Sequence, residues 1–155
     1  MATRPARALR IGLVSDTHNL LRPEVLDWLR GSDHILHGGD ICGEAVLAAL
    51  RELAPLTAVC GNNDRGAWAA GLPHSETVRF GAVAVHMVHD LKELQLPAGV
   101  RVVVSGHSHK PKVEERDGVL YVNPGSAGPR RFSLPISAGE LRIVGDEVTV
   151  QMQSF

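Results

Sequence analysis

Leu9-Arg10-Ile11-Gly12-Leu13-Val14-Ser15-Asp16-Thr17-His18 runs from an apolar, partly β-branched stretch straight into a polar cluster. A continuous apolar run of this length, cut short by Ser-Asp, reads as a strand buried on both faces. The same unit recurs down the chain. His34-Ile35-Leu36-His37 leads into Gly38-Gly39-Asp40, Leu56 to Cys60 into Gly61-Asn62-Asn63-Asp64, and Val83 to Val88 into His89-Asp90. Arg101 to Val104 leads into Ser105-Gly106-His107-Ser108-His109, and Val119 to Val122 into Asn123-Pro124-Gly125-Ser126. Between the early strands, Pro23 to Arg30 spaces Val25, Leu26 and Leu29 helically, with a proline suited to helix entry. Gly43 to Leu53 sets Val46, Leu47, Leu50 and Leu53 on one helical face. Strand alternating with helix is an α/β pattern. The later half is strand-rich. Asp117-Gly118 turns a hairpin between Lys112–Arg116 and Val119–Val122, and Gly145-Asp146 turns another between Glu140–Val144 and Glu147–Gln151. The expected result is a mixed sheet, or two packed sheets, with helices outside.

The 155 residues fit a single domain over 1–155, with residues 1–8 as a flexible tail. A hydrophobic share of 44% against 21% charged residues excludes a predominantly disordered chain. Sixteen basic and 17 acidic residues leave a net charge of -1, which argues against nucleic acid as a tight partner. Cys42 and Cys60 form no C-x-x-C pair and suit a reducing compartment. The apolar run Ile11 to Val14 is shorter than the roughly 7–15 residues of a secretory signal. No stretch reaches the roughly 18 apolar residues of a membrane helix. A cytoplasmic protein without a membrane partner is expected.

Ligands of α/β sheets bind beyond the carboxyl ends of the strands. Those ends hold Asp16, His18, Asp40, Asn62, His89, His107 and His109, all oxygen or nitrogen donors. A set of imidazole, carboxylate and amide without thiolate suits manganese, iron or zinc. D-x-H spacing turns both side chains to one side if the strand persists. His37 is expected to pack or to support a ligand, His34 and His74 to lie at the surface, and Cys42 and Cys60 to act as small buried hydrophobes.

The ordered set D-x-H, G-D, G-N-x-D, H, G-H-x-H and N-P-G-S, spanning about Ile11 to Arg130, resembles the calcineurin-like metallophosphoesterase family. Within it, the chain is similar to the small YfcE-type phosphodiesterases. That resemblance implies a two-layer α/β/β/α sandwich of mixed sheets with a dinuclear metal site at the strand C-terminal ends. It implies that Asp16, His18, Asp40 and His109 hold one ion, and that Asp40, Asn62, His89 and His107 hold the other, with Asp40 bridging. Asp40 and Asn62 would then be the catalytic pair, serving two divalent ions, manganese first, with iron, zinc or nickel as alternatives. The implied reaction is hydrolysis of a small phosphodiester by a metal-bridging hydroxide. In His86-Met87-Val88-His89, His89 is taken as the ligand because it stands at the strand end, with His86 inside the strand. Larger family members read G-N-H-E where this chain has Gly61-Asn62-Asn63-Asp64, so the histidine that would protonate a leaving group is missing. Asn63 and Arg130 are the expected phosphate contacts, and Asp64 and His18 the remaining proton donors. The alternatives are a phosphomonoesterase and a protein-binding scaffold like one retromer subunit, which has this fold and an impaired metal site. The presence of all seven expected ligand residues favours the enzyme. A homo-oligomer is compatible with all of this.

Overall fold

The computed structural model describes residues 7–155, so most of the expected 1–8 tail lies outside the described residues. Strands β1 (Leu9–Val14), β2 (His34–His37) and β3 (Leu56–Ala58) run parallel, linked through helices α1 (Pro23–Leu29) and α2 (Glu44–Leu53). The C-terminal hairpin β9 (Ser137–Val144) and β10 (Glu147–Ser154) adds to the free edge of β1, giving one sheet in the order β10-β9-β1-β2-β3. The second sheet has the order β4-β5-β6-β8-β7, from β4 (Ser75–Phe80), β5 (Val83–Val88), β6 (Val100–Val104), β7 (Lys112–Arg116) and β8 (Val119–Asn123). In it β5, β6 and β8 are parallel, while β4 and β7 pair antiparallel at the two edges.

Alternation along the strands builds two apolar layers. Ile11, Leu13, Leu36, Leu141 and Ile143 of the first sheet meet Val83, Val85, Met87, Val102, Val104 and Val122 of the second in the central core. Val14 and Ile35 point the other way, onto Val25 and Leu29 of α1 and Val46, Leu47 and Leu50 of α2. Gly12 lies on this helical side, and a Cβ there would stand 2.7 Å from Leu29 Cδ2, so the close seating of α1 depends on a glycine.

The two mixed sheets of the expected α/β architecture are present, but both α-helices cover the first sheet. The outer face of the second, with Ala84, Val88, Val100 and Val103, is covered in part by Leu94 following a 3₁₀ turn at Leu91–Glu93. β4 had no expectation. Its sequence Ser-Glu-Thr-Val-Arg-Phe is polar because it is an edge strand, largely exposed. β3 ends at Ala58 rather than Cys60, and the last hairpin is longer at both ends than its apolar pattern suggested. His34 is half-buried rather than at the surface, bonded through Nε2 to Thr57 Oγ1 at 2.8 Å.

Leu13 is fully buried at the centre of the inter-sheet core. Leu13→Ala should lower unfolding stability by about 2–5 kcal/mol, measured by denaturant titration of the metal-free protein.

Candidate metal centre

The loops that follow the parallel strands are zipped to one another through the backbone. Asp16 N–H donates to the Gly39 carbonyl (3.0 Å), His18 N–H to Asp40 O (3.0 Å), Gly106 N–H to His89 O (3.0 Å) and Ala127 N–H to Ser15 O (3.0 Å). Within these loops Asp16, His18, Asp40, His107 and His109 all have left-handed backbone, with φ of 52°, 44°, 56°, 71° and 63°. Such φ values are uncommon outside glycine, although Asp and His are among the types that tolerate them best. Sparsely populated conformations cost of the order of 1–3 kcal/mol each and persist only where the surroundings enforce them. Five of the seven expected ligands are therefore held in backbone conformations that isolated segments would not favour.

Asp16 is fully buried. Its Oδ2 accepts from the Ser15 hydroxyl (2.7 Å) and the His107 N–H (3.2 Å). Its Oδ1 has no hydrogen-bond partner, and His109 Nε2 stands 3.4 Å and His89 Nε2 4.0 Å from it. Asp40 Oδ2 lies 3.5 Å from His89 Nε2 and 3.7 Å from His18 Nε2. Asn62 Oδ1 is 3.0 Å from His89 Nε2 and 3.3 Å from His107 Nδ1. Two groups result, Asp16 with His18 and His109, and Asp16 with Asp40 and His89, each with its donor atoms within 4.8 Å of one another. Buried polar atoms are almost always satisfied. Here Asp16 Oδ1, His18 Nε2 and His109 Nδ1 are all buried without a partner, and two of these three atoms face the gap between the carboxylates and the imidazoles. Divalent cations fit this donor set. His89 meets a further requirement, because its Nδ1 is bonded to the Gly38 carbonyl at 2.7 Å, which fixes the ring and leaves Nε2 to face the carboxylates.

The charges follow the same geometry. Burial alone would depress the His89 pKa, but its bond to Asp40, the Asp16 charge and the Gly38 carbonyl outweigh it and lift it to about 9. Burial would raise the Asp40 pKa, yet bonds from His89 and Asn63 hold it well below the usual carboxylate range. His18 is lowered, by burial more than its two carboxylate neighbours can offset. Burial pushes the Cys42 thiol up to about 11, assisted by the Asp64 charge.

Residues outside the expected ligand set hold the ligands in place. His37 is fully buried, and burial lowers its pKa to about 4, keeping the ring neutral. Gly39 N–H donates to His37 Nδ1 (3.1 Å), so the ring proton sits on Nε2, facing Thr17 Oγ1 at 3.1 Å. The Thr17 hydroxyl passes the chain on to the Ile41 carbonyl (3.1 Å). His37 thus ties the D-x-H loop to the residues flanking Asp40. Asp64 accepts from Cys42 N–H and Gly61 N–H, both at 2.9 Å, which closes the third loop on itself and leaves neither oxygen free. A side chain at Gly61 would run into the Asp40 backbone nitrogen, so that loop reaches the carboxylate only as glycine. Asn123 donates from Nδ2 to Gly106 O (2.9 Å) and Ser108 Oγ (3.1 Å), which assigns the N-P-G-S segment to bracing the H-x-H loop.

Five of the seven expected ligands form the two donor groups, Asn62 and His107 lie beside them on the rim, and several expectations change in detail. Asp16 as well as Asp40 stands between the histidines. Asn63, expected on phosphate, spends both its backbone N–H (2.8 Å) and its amide (2.9 Å) on the Asp40 carboxylate. Arg130 is exposed, and the arginine whose charge reaches His18 is its neighbour Arg131. Both cysteines are half-buried rather than buried, with Cys42 Sγ 3.6 Å from His18 Nδ1. His86 lies within β5, bonded to Thr77 Oγ1 of β4 at 2.8 Å, away from the carboxylates.

Residues 9–145 match the calcineurin-like phosphoesterase superfamily domain. A probable metallophosphoesterase of Methanothermobacter thermautotrophicus is 34% identical over 157 residues, covering 92% of this chain and 90% of the relative. A phosphodiesterase of Methanocaldococcus jannaschii is 28% identical, with coverage of 76% and 83%. Among solved structures, vacuolar protein sorting 29 from Cryptosporidium parvum superposes with a TM-score of 0.77 at 18% identity, over 96% of this chain and 98% of that one.

Two outcomes test this arrangement. His89→Ala should abolish uptake at one of the metal sites, read by elemental analysis, whereas His86→Ala should leave the metal content unchanged. In the metal-free protein His89 holds its proton up to about pH 9, and a metal ligand must be neutral. Loading at pH 7 should therefore release protons, and apparent affinity should rise with pH up to about 9, measured calorimetrically in buffers of different ionisation enthalpy.

Proposed function

The chain belongs to the calcineurin-like phosphoesterase superfamily, and we propose that it is a phosphodiesterase dependent on two divalent ions, manganese first among them. The observation that carries this reading is the pair of donor groups sharing Asp16, with buried donor atoms that no protein group satisfies. Asp16, His18, Asp40 and His109 would hold one ion, and Asp40, Asn62, His89 and His107 the other, with the Asp16 carboxylate close to both. Divalent ions bound there supply the Lewis acidity that lets water attack a phosphoester near neutral pH.

The protein's own groups orient and neutralise. Asn63 keeps the Asp40 carboxylate turned toward His18 and His89, and Ser15 and the His107 N–H do the same for Asp16. Asn62 and His107 are exposed on the open rim, where a substrate would arrive. The diester preference is supported by the phosphodiesterase name of one relative. The third motif gives a leaving group little help, which bears on leaving-group dependence and not on the choice of ester. Asn63 is spent on Asp40, and both Asp64 oxygens accept backbone N–H groups. The fold likeness to vacuolar protein sorting 29 leaves a scaffold role as the rival reading, and the complete ligand set weighs against it. Two half-buried free thiols fit a reducing, cytoplasmic setting.

A metal-stripped sample should be inactive and regain hydrolysis of a generic aryl diester on addition of manganese, with a lower kcat/KM for the matching monoester. An equal or better monoester rate would overturn the diester assignment. A general acid contributes about 10²–10⁴-fold. Without one, log kcat across a series of aryl and alkyl diesters should fall steeply as leaving-group pKa rises, and a flat line would mean that His18 or a bound water donates the proton.

A further inference from the structure

Beside the metal centre, a groove of about 380 Å³ opens from His107 across the outer face of the second sheet. Its floor is the side of β8 that carries Tyr121, which stands beside Val103 of β6 and faces Glu114 of β7 across the hairpin. Helices cover the other sheet but not this face, so the groove stays open. Of the residues that line it, His107 alone is also an expected ligand.

The charges along it are uneven. Lys92, Lys110, Lys112 and Arg116 line it, against the carboxylates of Asp90 and Glu114. Glu114 is already committed, lying 3.2 Å from Lys112 Nζ and 3.3 Å from Arg116 Nε. Asp90 faces His107 Nε2 at 3.7 Å and accepts the Lys92 backbone N–H at 3.0 Å. The Lys92 and Lys110 ammonium groups have no ion pair among the described residues, and they stand on segments either side of His107. Farther along the hairpin, the Arg116 guanidinium lies 4.8 Å from the centre of the Tyr121 ring and is itself half-exposed. A guanidinium seated on an aromatic ring offers its outer face to a flat ligand.

We propose that this groove binds the part of the substrate beyond the scissile phosphate, and that this part carries a second phosphate on a flat, nucleoside-like body. The inference rests on the phosphodiesterase reading for its orientation, since the scissile phosphate sits at the His107 end. Lys92 and Lys110 meet the second phosphate, and Arg116 meets the flat body. Nothing in the groove closes over the ligand, so affinity comes chiefly from charge and falls with salt.

The test compares three p-nitrophenyl diesters that share one scissile bond and one leaving group: the methyl ester, the thymidine 5′-ester and the thymidine 5′-ester bearing a 3′-phosphate. The 3′-phosphorylated ester should exceed the methyl ester in kcat/KM by tenfold or more, with the plain thymidine ester between them. The double variant Lys92→Gln, Lys110→Gln should lose roughly three- to tenfold more on the 3′-phosphorylated ester than on the methyl ester. Arg116→Ala should lose more on both thymidine esters than on the methyl ester. Equal kcat/KM for the three esters, or equal losses on all three in the variants, would overturn the proposal. Binding of thymidine 3′,5′-bisphosphate and of inorganic phosphate to the metal-loaded protein separates the two readings. Absent hydrolysis with tighter binding of the bisphosphate than of phosphate, weakened in the double variant, overturns the phosphodiesterase reading and keeps the groove. Hydrolysis with equal binding of the two overturns the groove alone. Tight binding of a 3-carbon bisphosphate lacking the base, at the level of the thymidine compound, would overturn the assignment of Arg116 to a flat ring.

Discussion

Two buried carboxylates facing the same histidines set the terms for this molecule. Asp16 is fully buried and Asp40 nearly so, and both keep the same small space between them and His89. Like charges withdrawn from water repel and lose hydration, so they survive only with compensation. In the metal-free chain that compensation is visible atom by atom. Ser15 and a backbone N–H serve one oxygen of Asp16, Asn63 serves both oxygens of Asp40, and a protonated His89 lies between them. One Asp16 oxygen is still unsatisfied. The site is thus a preformed demand for positive charge, maintained by a fold that draws its stability elsewhere, from the dry inter-sheet core.

How much of this could be read from the chain follows from where each element sits. β1, β2, β5 and β6 are buried over most of their length, so they appear as largely apolar runs, and the ligands appear in the polar clusters that end those runs. β4 escaped because an edge strand has no such run. The supporting role of His37 was legible but its partners were not, and the bracing role of Asp64 escaped for a different reason. Their work is done by hydrogen bonds to Thr17, Gly39, Cys42 and Gly61, and which loops meet is a property of the sheet order, not of local sequence. Asn63 shows the limit most clearly. Its position in the third motif was legible, but its amide is turned to Asp40, and only the closeness of the second and third loops decides that direction.

The uneven distribution of helices has a functional side. The β2–β3 connection carries α2 and shields the first sheet, while the path from Val88 to Val100 returns through one short 3₁₀ turn. The outer face of the second sheet is left with a thin covering, and Tyr121, Arg116 and the lysines beside His107 stay reachable from the metal edge. A longer β5–β6 connection folded as a helix would bury that face and lengthen the core, but would close the groove that runs along the sheet to this rim.

The cost of the ligand loops also bears on the choice between catalysis and scaffolding. Left-handed backbone at Asp16, His18, Asp40, His107 and His109, an unsatisfied buried carboxylate oxygen, and a histidine kept neutral in the core are all destabilising on their own. A surface used only to dock another protein requires shape and exposed side chains, and it would be equally well built, and more stable, with those loops relaxed and the carboxylates replaced. This chain retains every one of these strained features together, at the ends of β1, β2 and β6, where bonds between the loops enforce them. Their common product is a tight cluster of oxygen and nitrogen donors, an arrangement suited to divalent cations. The free energy held in those loops is therefore an argument from the fold itself for cation binding at the strand-end edge.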